Sequence, residues 1–173
     1  VTQLKDFCLC VSTADCVPIL LYDKEKQVIA AIHAGWRGTV GHIVEKTIEV
    51  MKSQYGSEGK DMVACIGPSI SLESFEVGDE VYAAFEEAGF DMSCIARKYA
   101  KWHLDLWEAN RIQLLAHGIL PEHIEVTGIC TYQHPDDFFS ARRLGIKSGR
   151  IVSGIVMNET ENRSICDWKV VVE

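Results

Sequence analysis

Two apolar runs, Val17 to Tyr22 and Gln27 to His33, flank the charged stretch Asp23-Lys24-Glu25-Lys26. Six or seven residues rich in Val, Ile, Leu and Ala make a strand, and a charged turn between two such runs predicts a hairpin. The first strand runs away from Cys16 and the second returns to His33. Two residues seventeen positions apart therefore come to the same end of the sheet.

Cysteine beside histidine has two chemical meanings. Thiolate and imidazole together suit zinc or copper. Alternatively, an imidazole activates a thiolate nucleophile. A packed, unreactive Cys16 and a core His33 form the third reading. Asp15 next to Cys16, and Arg37 within Gly35-Trp36-Arg37-Gly38, weigh against it, because they put polar groups at strand ends and turns, where sites are built. Arg37 reads as a clamp on phosphate or a developing anion, or as an ion-pair partner of Asp15 or Glu76.

The glycines at 35 and 38 predict a tight turn after His33. A helix is expected next, because Val40, Ile43, Val44, Thr47, Ile48 and Met51 share one face; Gly56 ends it. Strands are expected at 7–12, 61–66, 124–130 and 150–157, and helices at 77–88 and 105–117. Asn110 falls on the apolar face of the last helix with Trp107 and Leu114, where an amide needs partners and reads as a structural bridge. Residues 158–163 read as a polar loop and 169–172 as a strand-like tail. Strands and helices interleave without strict alternation. The expected class is α/β (α+β), a mixed sheet with helical layers.

A length of 173 residues suits one domain with a substantial core. A formal charge of −8 argues against a nucleic-acid surface, although one or two arginines suffice for a small phosphate ligand. No apolar run is long enough for a membrane helix, and no membrane partner is expected. The seven cysteines are odd in number and show no CxxC pair. Those at 8, 10 and 65 sit in apolar runs and read as reduced, buried hydrophobes of a cytoplasmic protein.

A second cluster, Phe138-Phe139-Ser140-Ala141-Arg142-Arg143, offers aromatic, hydroxyl and guanidinium groups for a planar, polar ligand, or two core phenylalanines beside solvated arginines. With it the motifs form an ordered series. Thr-Ala-Asp-Cys-Val-Pro at 13–18, His-Ala-Gly-Trp-Arg-Gly at 33–38 and Ile-Gly-Pro-Ser-Ile at 66–70 come first. Phe-Glu-Val-Gly at 75–78, Leu-Asp-Leu-Trp with Asn110 at 104–110, and Cys-Thr through Phe-Phe-Ser to Arg-Arg at 130–143 follow. The series resembles the laccase-domain, or polyphenol-oxidase-like, family, also described as purine nucleoside phosphorylases. The resemblance spans about residues 1–157, leaving 158–173 as a C-terminal extension.

The resemblance implies a single-domain, four-layer α/β/β/α sandwich and a zinc site of two histidines and one cysteine. Cys16 and His33 map to the cysteine and the second histidine. The family's first histidine lies in a Gln-Val-His-Gly-like segment upstream of the cysteine, which these residues do not include. The expectation is a fragment, or a third ligand recruited from elsewhere or from a second chain. Neither His42 nor His134 is assigned to it. The implied activities are phosphorolysis of adenosine, inosine and guanosine and deamination of adenosine, with zinc as cofactor and copper as the alternative. The expected partners are a purine nucleoside and phosphate, on a monomer. Cys16, His33 and Arg37 are the expected catalytic residues, and Phe75, Glu76, Ser140 and Arg142 the expected substrate contacts. Arg37 or Arg142 would hold phosphate, and Ser140 would orient ribose or base. The rival readings are a cysteine hydrolase or deamidase using Cys16 and His33, a copper phenol oxidase, for which one Cys and one His are few ligands, and an inactive nucleoside-binding domain.

Overall fold

The computed structural model describes residues 1–145 and 147–158, together with the backbone of 171–172. The strands are β1 (Leu9–Thr13), β2 (Val17–Asp23), β3 (Val28–Ala34), β4 (Met62–Ile66), β5 (Glu76–Val77), β6 (Ala96–Lys98), β7 (Trp102–Leu104), β8 (Ile124–Val126), β9 (Ile151–Ile155) and β10 (Val171–Val172). The helices are α1 (Trp36–Val40), α2 (Ile43–Tyr55), α3 (Asp79–Glu87), α4 (Met92–Ile95), α5 (Leu106–Ala116) and α6 (Ala141–Leu144).

The expected hairpin is the centre of the molecule. β2 pairs antiparallel with β3, placing Val17 opposite Ala34 and Pro18 opposite His33. Its turn is held by Asp23, whose Oδ1 accepts from the backbone N–H groups of Glu25 and Lys26 at 2.9 Å each. β4 pairs antiparallel with the other edge of β2, and β8 pairs parallel with β4. The sheet β3-β2-β4-β8 is therefore mixed, as expected. Two further sheets, β1-β9-β10 and β5-β7-β6, complete those among the described residues.

Side-chain alternation sorts the two faces of the central sheet. Val17, Ile19 and Leu21 of β2, with Ala30, Ile32 and Ala34 of β3, join the core formed with Val44, Ile48 and Met51 of α2 and Leu106, Ala109 and Leu114 of α5. At roughly 25 cal/mol per Å² of apolar surface, this packing is the main stabilising term. The other face carries Pro18, Leu20, Ile29, Ala31 and His33 by the period of two. The β1–β9 pair packs against β3 and β2.

The structure corrects several sequence expectations. In place of the tight turn expected after His33, the chain enters α1, with Gly35 as its N-cap, and the break before α2 falls at Gly41 and at His42, which takes φ 55°. Val77 lies in β5, so the following helix starts at Asp79. The strand expected to reach Cys130 stops at Val126. Cys8 and Cys10 are exposed, not buried, whereas Cys65 is buried. α2 ends at Tyr55, with Gly56 at φ 70° as its left-handed cap. Of the expected tail, Val171–Val172 pair with β9, while 159–170, with Cys166, lie outside the described residues. No described helix is long and apolar enough to cross a membrane.

Asn110 is the structural bridge expected of it. It is fully buried on α5; its amide nitrogen donates to Thr39 Oγ1 at 3.1 Å and to the Leu106 carbonyl at 2.8 Å. Gln113 Nε2 donates to the Thr39 carbonyl at 3.3 Å. These bonds tie α5 to α1, the helix that leaves the His33 strand. Asn110→Ala would leave the Thr39 hydroxyl short of a partner, and we expect a loss of about 1–3 kcal/mol in urea unfolding.

Candidate functional site

Cys16 and His33 meet at Gly35. A Cβ built on Gly35 would stand 2.8 Å from Cys16 Sγ and 4.0 Å from His33 Nε2. Both reactive atoms thus border the space that the missing side chain leaves open. The geometry follows from the hairpin register, since Val17 faces Ala34 and the residues just beyond the ladder are Cys16 and Gly35. Cys16 is half-buried and His33 exposed. Burial, and then the negative charge of Asp15, push the Cys16 thiol up, while Arg150 pulls it the other way. In the free protein the thiol form is favoured, and a bound cation would offset that bias.

Asp15 organises the ground beside this pair. It is 8% exposed, and its φ of 77° is one that Asp tolerates better than most residues. Its carboxylate accepts from Thr131 Oγ1 at 2.7 Å, from Ser140 Oγ at 3.0 Å and from the Arg142 backbone N–H at 2.7 Å. Its carbonyl accepts from the Ile70 N–H at 3.0 Å. The loop after β4 is in turn paired with 129–131: Ser69 N–H donates to the Ile129 carbonyl at 3.2 Å and Thr131 N–H to the Ser69 carbonyl at 3.1 Å. Three motifs distant in sequence thereby meet at Asp15, the 130–143 stretch through its carboxylate and the loop after β4 through its carbonyl.

A cleft of about 280 Å³ opens on this arrangement, lined by Ala14, Asp15, Ile70, Phe75, Ala141 and Arg142. The Arg142 guanidinium carbon lies 5.3 Å from the Phe75 ring centroid, and its Nη1 donates to the Glu76 carbonyl at 2.9 Å. The cleft thus presents a cation and apolar walls, with the Phe75 ring 8% exposed beneath the guanidinium.

The expected site residues divide in three. Cys16 and His33 come together, and Phe75 and Arg142 line the adjacent cleft. Ser140 is fully buried, with its hydroxyl committed to Asp15, so it positions that carboxylate from behind. Glu76 contributes its carbonyl; its carboxylate pairs with Lys101 at 2.9 Å, and the ammonium holds it below the ordinary value. Arg37 is exposed with its guanidinium 4.2 Å over the Trp36 ring. The carboxylates once open to it are otherwise engaged: Asp15 by Thr131, Ser140 and Arg142, Glu76 by Lys101. In the second cluster, Arg143 donates to the Tyr132 carbonyl at 2.6 Å and lies over the Tyr132 ring. The sequence reading missed Ile70, Thr131 and the anchoring role of Asp15; an acidic residue beside an apolar strand was the one available signal. No group of three His, Cys, Asp or Glu placed to hold a metal occurs among the described residues.

The family model described as multi-copper polyphenol oxidoreductase laccase matches residues 1–158. The chain belongs to this family. That agrees with the resemblance carried by the ordered motifs. A relative from Bacteroides thetaiotaomicron named purine nucleoside phosphorylase is 59% identical over 162 residues, covering 92% of this chain and 60% of the relative. A relative from an unknown prokaryotic organism, named adenosine deaminase RL5, is 45% identical over 90% of this chain and 60% of its own length. The crystal structure of YlmD from Geobacillus stearothermophilus superposes with a TM-score of 0.85 at 32% identity, covering 91% of this chain and 59% of that one. The chain thus spans about three fifths of the length of these family members.

If Asp15 is the lock, Asp15→Ala strands three donors at once. We expect a stability loss of about 3 kcal/mol or more in urea unfolding, with Asp15→Asn, which keeps two heteroatoms in place, losing less.

Proposed function

We propose that this chain carries the site of a purine nucleoside enzyme, acting in phosphorolysis of adenosine, inosine and guanosine and in deamination of adenosine. The observation that carries the reading is the placement of Cys16 and His33 on one glycine, directly after the Ala14-Asp15 edge of the cleft. The names of the family relatives support the substrate class.

The residues fit zinc as ligands. Thiolate and imidazole are its ordinary donors, and Gly35 leaves beside both a space that any Cβ would enter. Cys16 and His33 would supply two of the ligands. When bound, zinc supplies Lewis acidity at an open position near neutral pH.

The chain's own groups provide the rest. Ala14, Ile70 and Phe75 give the cleft apolar walls that suit a purine. Arg142, held by the Glu76 carbonyl, presents positive charge at the cleft, where it would orient phosphate and stabilise its charge. Arg37 is exposed two residues beyond Gly35 and would act as a second cation. In phosphorolysis a phosphate oxygen bonds to ribose C1′ while the bond to the purine nitrogen breaks, and the base leaves with the electron pair and takes up a proton. In deamination water adds at C6 and ammonia departs.

The tests are direct. Protein carrying stoichiometric zinc, given adenosine with and without phosphate, should yield adenine or inosine; a zinc-loaded full-length protein yielding neither defeats the proposal. Cys16→Ala should abolish stoichiometric zinc, and retention would remove Cys16 from the site. Gly35→Ala should lower zinc occupancy by tenfold or more with little loss of helix content, because its methyl group would press on Cys16 Sγ.

A further inference from the structure

Cys8 and Cys10 are both exposed, with their sulfurs 3.3 Å apart. Cys10 is paired across the β1–β9 ladder with Gly154. A Cβ on Gly154 would stand 2.8 Å from Cys10 Sγ and 2.9 Å from Cys8 Sγ. The two sulfurs can therefore lie side by side because residue 154 has no side chain. The hydrophobe reading of these cysteines fails on exposure. What the arrangement offers is two solvent-facing thiols already in contact, which is the starting geometry for joining them.

We propose that Cys8 and Cys10 form a thiol–disulfide exchange site, closed by small-molecule disulfides of the glutathione class and reopened by the corresponding thiols. One cysteine loses its proton to solvent, and its thiolate attacks a sulfur of the small disulfide. A mixed disulfide forms, and the other half leaves as a thiolate that takes up a proton. The second cysteine, deprotonated in turn, attacks the protein sulfur of the mixed disulfide. The Cys8–Cys10 bond forms, and a second small thiol departs with a proton. The protein has lost two electrons and two protons, and one small disulfide has become two thiols. The second step is intramolecular and its attacking sulfur is already in place, so closure outpaces accumulation of the mixed disulfide. Closure draws the sulfurs from 3.3 Å to about 2.05 Å. Cys8 precedes Leu9, the first residue of the β1–β9 ladder, so it can move without breaking the pairing of β1. With Leu9 alone between the two cysteines the ring is small, and an exposed disulfide in such a ring is of the readily reduced kind.

The test equilibrates the reduced chain with mixtures of reduced and oxidised glutathione, quenches with acid, alkylates the free thiols and digests with trypsin. The peptide 6–24 holds Cys8, Cys10 and Cys16. After oxidation it should carry a Cys8–Cys10 bond, be lighter by two hydrogens and bear its alkyl group on Cys16; dithiothreitol should restore all three thiols. The closed fraction should follow the square of the glutathione concentration over that of its disulfide, as an internal disulfide requires, whereas a mixed disulfide follows the first power. Cys8→Ser and Cys10→Ser should each stop at a mixed disulfide on the remaining cysteine. Gly154→Ala, which crowds both sulfurs, should slow closure at least tenfold. The proposal is overturned if Cys8 and Cys10 stay alkylatable in excess oxidised glutathione, if they accumulate only mixed disulfides, or if either pairs with Cys16 instead. These readouts come from the unaltered chain, so they decide even where a variant fails to fold.

Discussion

The Asp15 carboxylate is buried where donors from Thr131, Ser140 and the Arg142 backbone converge. A buried carboxylate is costly unless its lone pairs are satisfied, and one satisfied from distant segments fixes those segments to each other. The β1–β2 connection and the 130–143 stretch cannot move independently without stranding one of these donors, and the loop after β4 joins them through backbone bonds from Ile70 to the Asp15 carbonyl and between Ser69 and 129–131. The cleft between Phe75 and Arg142 inherits its shape from that lock. So does Cys16, whose backbone directly follows Asp15.

The hairpin supplies the second half of the arrangement. Its register fixes which residues leave the ladder together, and a slip of one residue would turn His33 toward α2 and bury a polar ring in the apolar cluster. Asn110 and Thr39 act one layer further out. They hold α1 against α5, and with it the Gly35 backbone that borders Cys16 and His33. The candidate site thus depends on polar contacts that never reach the cleft. Such contacts are costly to break because each leaves a buried partner unsatisfied.

Much of this was legible from the chain alone. The runs Val17 to Tyr22 and Gln27 to His33 are strongly patterned, and their pairing follows from the charged turn between them. The helix at 43–55 announced itself by period and by a terminal glycine, and the one at 106–116 by the face that Trp107 and Leu114 share. The β5-β7-β6 sheet did not, because strands of two or three residues are too short to show alternation. The exposure of Cys8 and Cys10 was hidden for a related reason. An apolar run shows that a strand exists but not which sheet face is left open.

Ser140 and Arg142 show why site residues are harder to read than site positions. Both stand in a motif that sequence singled out, and both contact the same carboxylate, one through its hydroxyl and one through its backbone. The side chains then diverge: Ser140 is sealed beneath Asp15, whereas Arg142 turns its guanidinium into the cleft over Phe75. Residue type could not separate a positioning hydroxyl from a ligand-facing one, because that distinction is set by burial. The same logic separates the chain's cysteines. Cys65 is inside a central strand, Cys16 lies half-covered at the end of one, and Cys8 and Cys10 stand over a glycine at the surface. One element in one chain is thereby given three chemical settings, and the backbone around each thiol decides which chemistry it can do.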